Sequence, residues 1–281
     1  MGNDIEFLES INAYLNKCFS MKDLGEAAYI LGIKIYRYRS RRLIGLSQST
    51  YLDKILKKFK MDQSKKGFLP VLQGTRLSTA QCPTTAGDRE KMSVVPYASA
   101  IGSIMYAMLC TGPDVNLAVS LVGRYQSNPG KEHWTAVKNI LKYLKRTKDM
   151  FLVYGGDEEL DVKGYVNASF DTDLDDSKSQ TRYVYILNGG AVSWCSRKQS
   201  VVVGSTCEAE YMAGSEAAQE AIWVKEFIID LGVIPNASGP MLSSVTTLEL
   251  LPLPRSPGFT GRPDISSVAS TPFVKVLKME T

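Results

Sequence analysis

In 281 residues this chain has one histidine, His133. A Ser-His-Asp triad or a multi-histidine metal site would have to be built on that single side chain, which argues against both. His133 stands just before Trp134 at a helix start, where capping or packing is the expected role. The five cysteines, at positions 18, 82, 110, 195 and 207, are odd in number and scattered, and no Cys-x-x-Cys pair occurs. Neither a zinc site nor a disulfide framework is indicated. Reduced thiols acting as small buried apolar residues are expected instead. Long apolar runs are also missing: none reaches the roughly 20 residues of a membrane-spanning helix. The N-terminus is acidic and mixed, without the basic-then-apolar pattern of a secretory leader. The expected setting is intracellular, cytoplasm or nucleus, with no membrane partner and no small-molecule ligand.

What is present is an ordinary globular composition, 44% hydrophobic and 22% charged, on a length suited to one or two domains. The net charge of +4 says little by itself; its distribution says more. Residues 34–66 hold eleven Lys or Arg against two acids, Asp53 and Asp62. Residues 157–176 hold eight acids against one base, Lys163. A charge run is most often a solvated face, but clustered Lys and Arg are also what contact with nucleic-acid phosphates requires.

Apolar spacing predicts a first helix carrying Phe7, Leu8, Ile11, Tyr14 and Leu15 on one face. A β-rich segment, Tyr29–Tyr36, a basic turn, Arg37–Arg42, and a strand, Leu43–Ser47, make a hairpin with a positive tip. An amphipathic helix follows with Tyr51, Leu52, Ile55, Leu56 and Phe59 on its apolar face and Lys54, Lys57, Lys58 and Lys60 off it. Residues 62–96 read as a long polar connection. Helices are expected at Ala98–Cys110, Asp114–Gln126 and Trp134–Lys145, the last burying Val137, Ile140, Leu141 and Leu144. Strands are then expected at 150–154, 160–168, 181–187 and 191–203, with an Asn188-Gly189 hairpin turn. A long helix runs from Cys207 to Leu231, ended by Gly232 and Pro235. The Pro- and Ser-rich stretch 241–281 is expected to be disordered. Trp194 and Trp223 are expected in the core.

Several phrases share an origin. Phe19-Ser20-Met21-Lys22-Asp23-Leu24-Gly25 with Leu31-Gly32-Ile33, Leu46-Ser47-Gln48 with Tyr51-Leu52, and Ile101-Gly102-Ser103-Ile104-Met105-Tyr106 before Thr111-Gly112-Pro113-Asp114 come first. His133-Trp134 with Leu141-Lys142-Tyr143-Leu144, Val192-Ser193-Trp194, Lys198-Gln199 and Glu208-Ala209-Glu210-Tyr211 follow. In this order and spacing they resemble the downstream part of the Pol polyprotein of copia-type long-terminal-repeat retrotransposons. The resemblance covers residues 1–240. It implies an α+β chain: the end of a reverse-transcriptase palm (1–48), a helical thumb and connection (49–149), a truncated ribonuclease H-like mixed sheet with one long helix (150–240), and a tail (241–281).

The resemblance also assigns site residues. The family's ribonuclease H chemistry uses about four carboxylates to hold two Mg²⁺ ions about 4 Å apart. The first position falls on Asn167, where an aspartate is expected, and the second on Glu210, the one surviving carboxylate and remnant metal ligand. No counterpart of the third or fourth is recognisable. Asp171 and Asp173 lie near Asn167 but read as an exposed acidic loop. Arg182 stands where the family usually has glycine before Tyr183, and Gly112 where it usually has arginine before Pro-Asp. The polymerase Tyr-x-Asp-Asp turn would precede Met1. The expectation is therefore a catalytically silent Pol fragment that retains no cofactor. Its candidate partner is RNA–DNA hybrid or duplex nucleic acid, contacted by Arg37, Arg39, Arg41, Arg42, Lys54, Lys57 and Lys58. Two alternatives stay open: residual hydrolysis of RNA in hybrids, and a chain left unstable by an unpaired sheet edge.

Overall fold

The computed structural model describes residues 5–22, 25–155, 162–232, 246–247 and 276–277. Helix α1 (Ile5–Cys18) forms where the first apolar stripe lies, but it buries none of its residues. Phe7 and Tyr14 stay more than half exposed. The hairpin follows as β1 (Tyr29–Ile30), β2 (Ile33–Tyr38) and β3 (Leu43–Ser47), antiparallel throughout, with a 3-10 turn over Arg39–Arg41 at its tip. On its other edge β3 pairs with β4 (Phe151–Tyr154), Ile44 opposite Tyr154 and Leu46 opposite Leu152. Residues 151–154 are thereby tied to the N-terminal hairpin.

Helices α2 (Ser49–Lys58), α3 (Ala86–Ser93), α4 (Tyr97–Thr111), α5 (Asn116–Gly123) and α6 (Lys131–Thr147) make the helical layer, in which all but α3 bury core residues. The expected stripes point inward: Leu52, Ile55 and Leu56 on α2, Phe59 just after it, and Val137, Ile140, Leu141 and Leu144 on α6 are all buried, and Tyr51 is half-buried against the same core. Each such side chain contributes about 1.5–3 kcal/mol on burial, so packing of these faces, rather than helix propensity, holds the layer. The stretch 62–96 is more than a connection. It holds α3, whose first turn is capped by Thr85 Oγ1 accepting the Asp88 N–H at 3.1 Å, and a 3-10 turn at Thr79–Gln81. Val71, Leu77 and Val95 pack from it onto the helical core.

The second sheet has the order β7-β6-β5-β8. Strands β5 (Val162–Ser169), β6 (Gln180–Leu187) and β7 (Gly190–Lys198) are antiparallel neighbours. Asn188 and Gly189, both at positive φ, supply the two-residue turn that matches strand twist. Strand β8 (Thr246–Thr247) runs parallel to β5, opposite Tyr165 and Val166, so the edge expected to be bare is paired there. Strand β9 (Val276–Leu277) pairs with β4. Apart from these two short strands, the stretch expected to be disordered lies outside the described residues.

Helix α7 (Thr206–Asp230) covers one face of this sheet. Ser205 caps it by accepting the Glu208 N–H at 3.2 Å, and the Glu208 carboxylate accepts the Gly204 N–H at 2.7 Å, a reciprocal capping arrangement. Ala209, Ala213, Ala217 and Ala221 recur every four residues and are all buried. Small side chains along one ridge let the helix approach the strands closely, and the Tyr185 hydroxyl reaches the Ala217 carbonyl at 2.5 Å. Trp223 lies off that ridge. It is 58% exposed and stacks on Phe227, so it is a surface residue and the expectation of a core aromatic fails.

Candidate functional site

The geometry at the end of β5 follows from strand alternation. Val166 and Ala168 pack against the alanine ridge of α7, so Asn167 and Ser169 turn to the opposite face. Asn167 is directly opposite Arg182 of β6. The Arg182 Nη2 donates to Asn167 Oδ1 at 2.5 Å and to Ser169 Oγ at 2.7 Å. Glu210, in the first turns of α7, reaches the same stretch: its Oε1 accepts the Ala168 N–H at 3.1 Å. Burial pulls the Arg182 guanidinium below its ordinary value, and the charge of Glu210 offsets part of that. Asn167 and Ser169 are buried. Arg182, Asn167 and Ser169 thus form one polar group joining β5 to β6, and Glu210 is held by the backbone of the same stretch of β5, within electrostatic reach of the guanidinium.

This donor set does not fit the Mg²⁺ of the family. Divalent magnesium takes oxygen ligands, preferentially carboxylates. Here one carboxylate and one amide share their surroundings with a guanidinium. Among the described residues no group of three or more His, Cys, Asp or Glu side chains is placed to hold a metal ion.

Asp171 is exposed, as expected of this acidic loop, but Asp173 is buried. Its side chain is 3% exposed and pairs with Arg124 at the end of α5 and with Lys198 at 3.1 Å. Arg124 also donates to Gln180 of β6, and Gln180 Nε2 donates to Ser120 of α5 at 3.1 Å and to Ser196 of β7 at 2.9 Å. Asp175 accepts from the Thr79 N–H at 2.9 Å and from its hydroxyl at 2.8 Å. The acidic turn therefore latches the helical layer to the second sheet. The Lys198-Gln199 phrase belongs to the same structure: Gln199 Nε2 donates to Thr181 at 3.1 Å and to the Ala209 carbonyl at 2.9 Å, joining β6 to α7. The acidic run is the one sequence signal of this latch; its partners Arg124 and Gln180 stand out in no pattern of their own.

The basic candidates divide into two groups. Arg37 and Arg39 are engaged with Glu26, and Arg37 also donates to the Ala27 carbonyl at 2.6 Å. Lys58 donates to Ser99 at 2.9 Å. Among the described residues Arg41, Arg42, Lys54 and Lys57 make no ion pair, and all four are exposed. They are the cations available to an outside anion. His133 is fully buried, as a cap and packing group: its Nδ1 accepts the Gly130 N–H at 2.8 Å, Nε2 lies 3.2 Å from the Ser78 carbonyl, and the ring stacks on Tyr125 at 4.0 Å. That pattern needs the neutral Nε2–H tautomer. The cysteines do not behave as expected. Cys18 and Cys207 are exposed and the other three half-buried, because none falls on a buried helix ridge or strand face.

Fold and site together define an α+β protein in which a helix N-terminus meets a central strand at a position chemically unsuited to a divalent ion. The chain is 45% identical, over 83% of its length, to the retrovirus-related Pol polyprotein from transposon TNT 1-94 of Nicotiana tabacum. It is 30% identical, again over 83%, to that from transposon RE1 of Arabidopsis thaliana. It spans 18% and 15% of those two polyproteins. Over 133 residues it is 43% identical to the secreted RxLR effector protein 161 of Plasmopara viticola, 94% of which it covers. No family model and no solved structure matches. The chain belongs to the copia-type, retrovirus-related Pol polyproteins of transposons.

Proposed function

We propose that the chain is the palm end, thumb and connection, and ribonuclease H-like region of a copia-type Pol protein, and that it holds RNA–DNA hybrid or duplex nucleic acid inside the cell without cutting it. The observation that carries the reading is the Arg182 guanidinium bonded to Asn167 at the position the resemblance gives to a metal-binding aspartate. A cation there opposes binding of a second cation, and an amide oxygen brings no charge to offset it. Glu210 alone cannot hold two metal ions. Mg²⁺ is thus a family property that this site is not expected to keep. The gripping half of the proposal rests on the exposed cations Arg41 and Arg42 at the hairpin tip and Lys54 and Lys57 on α2.

Fluorescence anisotropy of a labelled hybrid across a salt series tests the grip. Binding that weakens steeply with salt is expected, because phosphate contacts release counterions. Neutralising Lys54, Lys57 and Lys58 to glutamine should reduce the slope of log K against log salt by roughly 2–3. Undetectable or salt-independent binding would remove this half of the reading.

A further inference from the structure

The polar group at the end of β5 has an unusual composition: an amide and a hydroxyl bonded to a cation that the protein itself supplies, with a carboxylate within electrostatic reach. We propose that Arg182 is a resident cation, occupying the Asn167 oxygen that a divalent ion would need, and that this single side chain both closes the site to metal and ties β5 to β6. The proposal deepens the reading above and rests on its assignment of Asn167 and Glu210 to one former metal position.

Four observations carry it. The guanidinium makes two charge-assisted bonds to side-chain oxygens of β5, from a residue directly opposite on β6. Such bonds are about twice as strong as neutral ones. Asn167 and Ser169 are buried, so water does not substitute easily. Glu210 is anchored to the Ala168 N–H at the same stretch of β5, within electrostatic reach of the guanidinium. The two positions at which this sequence departs from the family pattern here, 167 and 182, are the two that bond to each other. An amide at 167 leaves room for an arginine donor. An aspartate there without the arginine would add a second carboxylate to this end of β5 with no cation to offset it, and a metal supplies such a cation.

The test uses the full chain with Mn²⁺ alone as probe, followed by paramagnetic broadening of the amide signals of residues 166–169 and by Tm against Mn²⁺ concentration. The wild type and Asn167→Asp should show no saturable broadening there. Asn167→Asp combined with Arg182→Met should show it, with a Tm that rises as Mn²⁺ is added, and a further Glu210→Gln change should abolish both effects. Saturable broadening in the wild type, or a folded double variant that ignores Mn²⁺, would overturn the proposal. Should the double variant fail to fold, Asn167→Asp decides alone: the introduced carboxylate would complete an ion pair with Arg182, so a Tm at or above wild type and indifferent to Mn²⁺ supports it. A Mn²⁺-dependent rise in that variant overturns it. Hybrid binding measured in metal-free buffer reads the basic elements only, so the grip and the resident cation stand or fall separately.

Discussion

Asn167 and Arg182 face each other across β5 and β6, with Nη2 of the arginine 2.5 Å from the amide oxygen. Loss of the guanidinium should therefore act first on stability. Arg182→Met keeps much of the side-chain volume and removes both bonds as well as the counter-charge to Glu210. A cost of about 2–4 kcal/mol is expected from the loss of charge-assisted bonds and the uncompensated acid. Urea unfolding followed by circular dichroism measures it. A variant as stable as wild type would mean that the cluster contributes nothing to the fold.

Asp173 and Arg124 give a second prediction. Removing one partner of a buried pair leaves the other charged and alone, at a typical cost of about 3–5 kcal/mol. Asp173→Asn should approach the lower end, because Lys198 is itself partly exposed and can turn to Asp176. A double-mutant cycle with Arg124→Met should show coupling above about 1 kcal/mol. The same variants should separate the unfolding of residues 49–149 from that of the second sheet, seen as two transitions in calorimetry.

Gly164 sits opposite Tyr185, and a Cβ placed on it would lie 2.6 Å from the tyrosine ring. That ring is buried and held by the Ala217 carbonyl, so it cannot swing aside. Gly164→Ala should destabilise by about 1–3 kcal/mol through overpacking. Hydrogen exchange should report the change on α7 around Ala217 as well as on β5.

Much of this fold is legible in the amino-acid order. The stripes of α2 and α6, the Asn188-Gly189 turn and the long capped helix each carry a local signal that survives folding. Asn167, Glu210 and even the departure at Arg182 are visible as residues. Their meeting is not, because the β5–β6 register depends on how residues 170–179 turn, and that turn is fixed by Asp173 pairing with Arg124, 49 positions away. Helix α3 leaves no periodic signal because it is polar and buries none of its residues. Trp223 has the composition of a core residue but stays at the surface, because the buried face of α7 is taken by alanines, which give no strong hydrophobic stripe.

His133 provides a pH prediction. Burial pushes its imidazole below the ordinary value, against the pull of the Ser78 carbonyl and the nearby carboxylates Glu132 and Asp175. The unfolded chain therefore takes up a proton first. The stability associated with neutral His133 is fully present above about pH 6.5 and is lost as the pH falls below it, down to the folded-state pKa. His133→Gln, which can still accept the Gly130 N–H, should flatten that part of the stability curve. A slope between about pH 5 and 7 unchanged by the substitution would assign the effect elsewhere.

A chain that grips without cutting is tested most directly by following both events in one sample. A hybrid labelled on its RNA strand would be mixed with the wild type and with Glu210→Ala in Mg²⁺ at low salt, anisotropy recorded, and the RNA then resolved by length. Both proteins should raise the anisotropy and leave the RNA intact to the same extent. Cleavage by the wild type above the Glu210→Ala level would contradict the silent site that Asn167 and Arg182 describe.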